Sequence, residues 1–144
     1  MVREHVERGR VAAGTSAPPE HQLVAFSLAV VHDDVATARA IVRPALATFG
    51  AADWSAQIDP LPFAAEFRGL RDSTSTPEEF ARAMPDEWVD QLAIVGSPQA
   101  VRARIAALEA NGVSSVVVVP TSPDPERPDD PFAALDALAR VIQV

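Results

Sequence analysis

The segment Asp86–Pro120 reads DEWVDQLAIVGSPQAVRARIAALEANGVSSVVVVP. An apolar lead-in, Leu92 to Val95, runs into Gly96, Ser97 and Pro98. A serine can accept a free amide at a helix start, and proline suits the first helical position. Val101, Ile105 and Leu108 then recur at helical spacing, with Arg102, Arg104 and Glu109 pointing outward. Asn111 and Gly112 form a helix stop. Val113 to Val119 is short, apolar and rich in valine. It reads as a strand buried on both faces, the form strands take in parallel sheets. A capped helix feeding a buried strand is the repeating step of a parallel α/β fold.

The rest of the chain extends this reading. Leu23 to Val31 is a second near-continuous apolar run of strand length. His32, Asp33 and Asp34 end it. Val35, Ala38, Ile41, Val42, Ala45, Leu46 and Phe49 follow at helical spacing, and Pro44 inside them predicts a kink or break. Residues 50–75 are irregular, with Pro60, Pro62 and Gly69 among Trp54, Phe63 and Phe67. They predict a loop-rich, functional or mobile excursion with a short helix near Phe63 to Leu70. Thr76, Pro77 and Glu79 form a capped helix start. Pro85 opens a further turn, with Trp88 and Leu92 four apart. Met1 to Ala13 and Phe132 to Ile142 read as terminal helices. Thr15 to Pro19 and Thr121 to Pro131 read as loops. The expected order is α, β, α with an insertion, α, β, α.

Composition narrows the function classes. The chain has 144 residues, 48% of them hydrophobic, which suits one globular domain. A net charge of −8 disfavours nucleic acid and anionic membrane surfaces, because both reward a basic face. No cysteine is present, so disulfides and thiolate metal sites are excluded. No apolar run reaches the length of a membrane span, and the charged first residues carry no signal-peptide core. A cytoplasmic location is the expectation. All twelve basic residues are arginine, which with the abundant alanine reads as a coding bias rather than chemistry.

Candidate chemistry lies at the strand exits, where parallel α/β folds bind ligands. His32 and Asp33 follow the first strand. They are candidate cofactor contacts; the competing reading is a helix cap and a solvated histidine. Gly96 and Ser97 stand at a helix N-terminus, whose free amides can hold a phosphate. The competing reading is a helix start without a ligand. Thr121 and Ser122 leave the last strand and either meet a ligand or shape the turn. Trp54, Trp88, Phe63 and Phe67 line either a pocket or the core. His5, His21 and His32 show no metal-ligand spacing, so no metal is expected. No nucleophile elbow, phosphate loop or dinucleotide fingerprint occurs, and no catalytic residue is assigned.

Three pieces in order resemble the C-terminal part of the bacterial luciferase-like family of flavin- or deazaflavin-dependent oxidoreductases. Leu23 to Ala47, with Asp33, Asp34, Ala38, Arg39, Arg43 and Pro44, resembles the seventh strand and the helix after it. Leu92 to Val101 resembles the recurrent apolar–Val-Gly-Thr-Pro–helix segment, with Ser97 at the threonine position. Asn111 to Pro120 resembles the eighth strand. The resemblance implies a partial (β/α)8 TIM barrel within an α/β class, comprising the last two strands with their helices. Residues 1–144 would be the C-terminal segment of that barrel domain, with 50–75 a variable insertion. It further implies FMN or the deazaflavin coenzyme F-420, a small-molecule substrate, and monooxygenase or hydride-transfer chemistry in the complete enzyme. The early strands that carry most ring contacts have no counterpart here. An isolated chain is therefore expected to lack turnover and to need a partner chain with the missing strands, or a homo-oligomer. The alternative is a non-enzymatic barrel remnant acting as an interaction or binding module.

Overall fold

The computed structural model describes residues 2–14, 22–122, 124, 126–127 and 130–142, with the side chains of residues 2 and 3 excepted. The expectations for Thr15 to Pro19 and for His21 lie outside them. Helix α1 spans Val2–Ala12, and Gly14 follows it with a left-handed φ of 64°. Then come β1 (Val24–Val31), α2 (Val35–Leu46), two 3₁₀ turns over 47–50 and 52–54, α3 (Ser55–Ile58), α4 (Ala64–Ser73), α5 (Pro77–Ala83) and α6 (Asp86–Leu92). The chain continues through β2 (Ala93–Gly96), α7 (Pro98–Ala110), β3 (Ser115–Pro120) and α8 (Pro131–Ile142).

The three strands form one parallel sheet in the order β2-β1-β3. Leu28 to Val31 pair with Ala93 to Gly96, and Val24 to Ala29 pair with Ser115 to Pro120. The two expected strands are therefore parallel neighbours. The count of two strands is corrected to three: Ala93–Gly96, read from sequence as a lead-in, is a strand. Four residues are too few to announce a strand by pattern. Hydrogen bonding to β1 makes them one.

Helices cover both faces of the sheet. Val30, with Leu28 and Val95, packs toward α2, where Ala38, Val42 and Leu46 are buried. Ala29, Val31 and Ile94 pack the other way, toward Val101 of α7 and Ala137 and Val141 of α8. The step from β1 to β2 moves outward with α2 on one face. The step from β2 to β3 returns past β1 with α7 on the other face. Reversing direction and face together preserves the hand of the crossover, as parallel connections require. The result is a three-layer α/β unit with β1 at its centre. An arc cut from a barrel would keep strands in chain order with every helix outside.

Two further expectations are revised. Residues 50–75, read as loop-rich, hold the expected short helix as α4 and also α3, and Ile58, Phe63 and Phe67 sit in the main core. Phe63 stacks on Trp88 at 5.0 Å and Phe67 meets Phe80 edge-on at 5.0 Å. These aromatics, with Trp54 against Phe49 at 4.5 Å, are packing residues. Nor is β3 buried on both faces: Val117 and Val119 are exposed, because α2 covers β1 and β2 only. Pro44 stays inside α2, which continues two residues and then tightens into a 3₁₀ turn. The break from proline is thereby displaced to the helix end.

Candidate functional site

The exits of β1 and β2 meet. His32, just past β1, donates its backbone N–H to the carbonyl of Gly96 at 3.0 Å. The sheet ladder thus joins the two stretches singled out from sequence. Asp34 caps α2, its Oδ1 accepting the Thr37 amide at 2.7 Å. That bond is the main reason its carboxyl lies below the ordinary carboxylate value, with no burial to oppose it strongly. The His32 ring Nδ1 lies 3.0 Å from the Asp34 amide and 3.1 Å from the Asp34 carbonyl.

Asp33 is engaged elsewhere. Arg140 near the end of α8 donates from Nη2 to both its carboxylate oxygens, at 2.8 and 3.0 Å. Arg102, in the first turns of α7, donates to the carbonyls of Arg140 and Val141 at 3.1 Å each. These bonds hold the end of α8 against the exits of β1 and β2. The start of α8 lies by the exit of β3, where Pro131 and Ala134 line a cleft together with Thr121 and Ser122. Helix α8 therefore crosses the strand-exit end of the sheet. No sequence pattern announced the Asp33–Arg140 pair, whose members lie 107 residues apart.

At Gly96 the backbone takes a φ of 123°, which side-chain-bearing residues rarely adopt. A Cβ there would lie 3.3 Å from Ala100 Cβ and 4.0 Å from Val35 Cγ2. The glycine thus lets the starts of α2 and α7 approach. Ser97 accepts the Ala100 amide on its Oγ at 3.3 Å, and Pro98 has no amide to offer. One of the few amides free at this helix start is therefore already taken by the serine itself. Arg102 and Arg140 are committed to carbonyls and to Asp33. The described residues do not by themselves fit an FMN or deazaflavin phosphate.

The cleft beside β3 has a volume of about 840 Å³. One wall is α2, from Thr37 to Ala45; the other is Pro120 to Ser122 with the start of α8. Ser122 is buried, and its Oγ accepts the Asp124 amide at 3.2 Å. It shapes the turn after β3. Asp124 is lowered in pKa chiefly by the Glu126 amide and then by Arg127, so this turn ties itself together. Among the described residues no group of histidine, aspartate and glutamate side chains could hold a metal.

A family model described as luciferase-like monooxygenase matches residues 1–115. The chain belongs to the luciferase-like monooxygenase family. A comparison with curated proteins returned no match. The matched region contains β1, α2, the aromatic core, β2 and the whole of α7. Luciferase-like proteins generally bind flavin-type cofactors and usually act on small-molecule substrates. In this member His32, Gly96 and Ser97 lie together where β1 and β2 end, and Asp33 adjoins them, bound to α8. No helix among the described residues is long and apolar enough to cross a membrane.

Proposed function

We propose that this chain is the C-terminal α/β portion of a luciferase-like oxidoreductase that works with FMN or a deazaflavin coenzyme on a small-molecule substrate. The family match over residues 1–115 carries this reading. When bound, such a coenzyme supplies hydride transfer or, as FMN, oxygen activation. This chain's part would be positional. The exits of β1 and β2, with His32 and Gly96 hydrogen bonded, would form one wall of the coenzyme site. The remaining strand exits would come from further family strands. In that complete barrel β2 would lie between β1 and β3, and the face formed by Ala29, Val31 and Ile94 would turn inward. In the present order α7 and α8 cover that face.

The chain by itself should not turn over. Chemistry needs the ring held about 3–3.5 Å from the substrate, and the exits present here offer no fitted phosphate site. Titrating the purified chain with FMN and with the deazaflavin coenzyme, followed by flavin fluorescence, should give no saturable change at micromolar protein. Adding a polypeptide that carries the early barrel strands of a family member should restore binding. Stoichiometric binding and turnover by the chain alone would overturn the positional role. Failure of every such complement to restore binding would sink the oxidoreductase reading.

A further inference from the structure

The exits of β1 and β3 part, unlike those of β1 and β2. The last bond of the β1–β3 ladder among the described residues runs from the Thr121 amide to the Ala29 carbonyl, at 2.8 Å. Beyond it β1 continues through Val30 and Val31, paired with β2 alone. The chain then leaves the two exits toward opposite faces. Helix α2 follows β1 over one face, and α8 follows β3 over the other. Adjacent strands whose connections diverge in this way leave a crevice outside their carboxyl ends, which is where open parallel sheets bind ligands. The 840 Å³ cleft between α2 and the start of α8 lies at that crevice. The β1–β2 exits leave no such gap, because the His32 amide bonds the Gly96 carbonyl and Gly96 lets α2 and α7 approach. A (β/α)8 barrel, with every helix outside, lacks such a crevice. The cleft is therefore a product of the β2-β1-β3 order.

Its lining restricts what it can take. Ala40, Ile41, Pro44, Pro120, Pro131 and Ala134 make apolar walls, and the exposed sheet residues Phe26, Val117 and Val119 do not line it. Among the described residues the one charged group in the lining is the Asp130 carboxylate. Its Oδ1 accepts the Phe132 and Ala133 amides at 3.0 and 3.1 Å, and its Oδ2 lies 3.2 Å from Arg127. Asp130 is thus satisfied and needs no cationic ligand, while a carboxylate with no basic side chain in the lining repels anions. Ser122 is different. It is 1% exposed, and its Oγ accepts the Asp124 amide. No acceptor for its own hydroxyl proton occurs among the described residues. A buried donor without an acceptor is costly, so the cleft wall calls for an acceptor atom.

We propose that this cleft is a binding site for an uncharged, largely apolar organic molecule that carries one hydrogen-bond acceptor, held against Ser122. The volume falls within the ~300–1,000 Å³ of small-molecule sites, and apolar walls with a few convergent polar groups are their usual make-up. The charge pattern excludes phosphorylated coenzymes, so this site is separate from the coenzyme wall proposed above and does not rest on that reading.

The test is a titration of the isotope-labelled chain with acetophenone, followed by amide chemical shifts. Saturable shifts should appear at Ile41, Thr121 and Ser122, with a dissociation constant on the order of millimolar, as suits a fragment. Cumene has the same shape without the acceptor and should bind roughly five-fold more weakly, the worth of one neutral hydrogen bond. Ser122→Ala should weaken acetophenone by a similar factor and leave cumene unchanged. Benzoate, of similar size but anionic, should give no saturable shift. Ala45→Leu fills the cleft from α2 with a good helix former and should abolish the acetophenone shifts with unchanged circular dichroism. Phe26→Gln, outside the cleft, should leave them intact. The absence of saturable shifts overturns the proposal, as does equal binding of acetophenone, cumene and benzoate by the wild-type chain. Shifts that Phe26→Gln removes and Ala45→Leu spares would place the probe on the open sheet and overturn it as well.

Discussion

Thr76 shows how much a single side chain does for a short helix. Its Oγ1 accepts the Glu79 amide at 3.1 Å, and Glu79 Oε2 accepts the Ser75 amide at 2.8 Å. Helix α5 has only seven residues, yet it buries Phe80 and Ala81 in the core. Thr76→Ala should cost roughly 1 kcal/mol, read as a lower denaturation midpoint at unchanged slope. Gly96 is the other decisive position. Gly96→Ala combines a disfavoured φ with a tight contact to Ala100 and should cost about 2 kcal/mol in the same measurement. Asp34 supplies a pH signature. Its folded pKa is depressed by the Thr37 amide, so its contribution is present above the unfolded carboxylate value. That contribution disappears as pH falls below about 4. Asp34→Asn keeps an amide-accepting cap but cannot titrate. The acid limb of its stability curve should be shallower than wild type, and an identical limb would count against the cap. Thr76 is visible in the sequence as a cap, because capping is local chemistry within a few residues; Gly96 is marked there only as a helix-start ligand candidate, and its backbone strain is not visible.

At the scale of elements, α2 is clamped to the α5–α6 corner by Arg39 and Arg43. Arg39 is raised above its ordinary pKa chiefly by its hydrogen bond to Asp90. The Arg43 side chain is 15% exposed and satisfies two carbonyls that terminate α5. Arg43→Ala would strand those carbonyls and should destabilise by about 2 kcal/mol. Arg43→Lys should recover less than half of that, since an ammonium cannot span two carbonyls and a carboxylate as a planar fork does. Thermal melts of the two variants and wild type decide it; full rescue by lysine would mean that charge alone matters. Arg39 and Arg43 fall outside the apolar stripe of α2 in the sequence. The sequence did not reveal their partners, which come from a segment some forty to fifty residues later.

For the whole molecule, the strand order is the consequential fact. With β1 central, its two faces carry separate clusters, one under α2 with the aromatic residues and one under α7 and α8. The strand-exit end is then crossed by α8 through Arg140 and Asp33. Asp33→Ala should loosen the end of α8, and Arg140→Ala should do the same. Hydrogen exchange should speed up in residues 138–142 while β1 stays protected; unchanged exchange would show that Ala137 and Val141 suffice to hold the helix. Both variants act on an exposed pair, so global stability should move by less than about 1 kcal/mol.

The amino-acid sequence by itself determined the long helices, the two long apolar strands, their parallel pairing, the caps at Thr76 and Ser97, and the family. Each of these depends on periodicity or on contacts a few residues apart, and the family on the order of such pieces. Tertiary structure alone decided that Ala93–Gly96 is a strand, that β1 lies between β2 and β3, and that residues 50–75 join the core. It also decided that His32 meets Gly96 and that Asp33 is spent on Arg140. A four-residue strand exists only through a partner's hydrogen bonds, and a strand order only through which face each helix covers. Those are properties of distant segments brought together, and no local pattern encodes them.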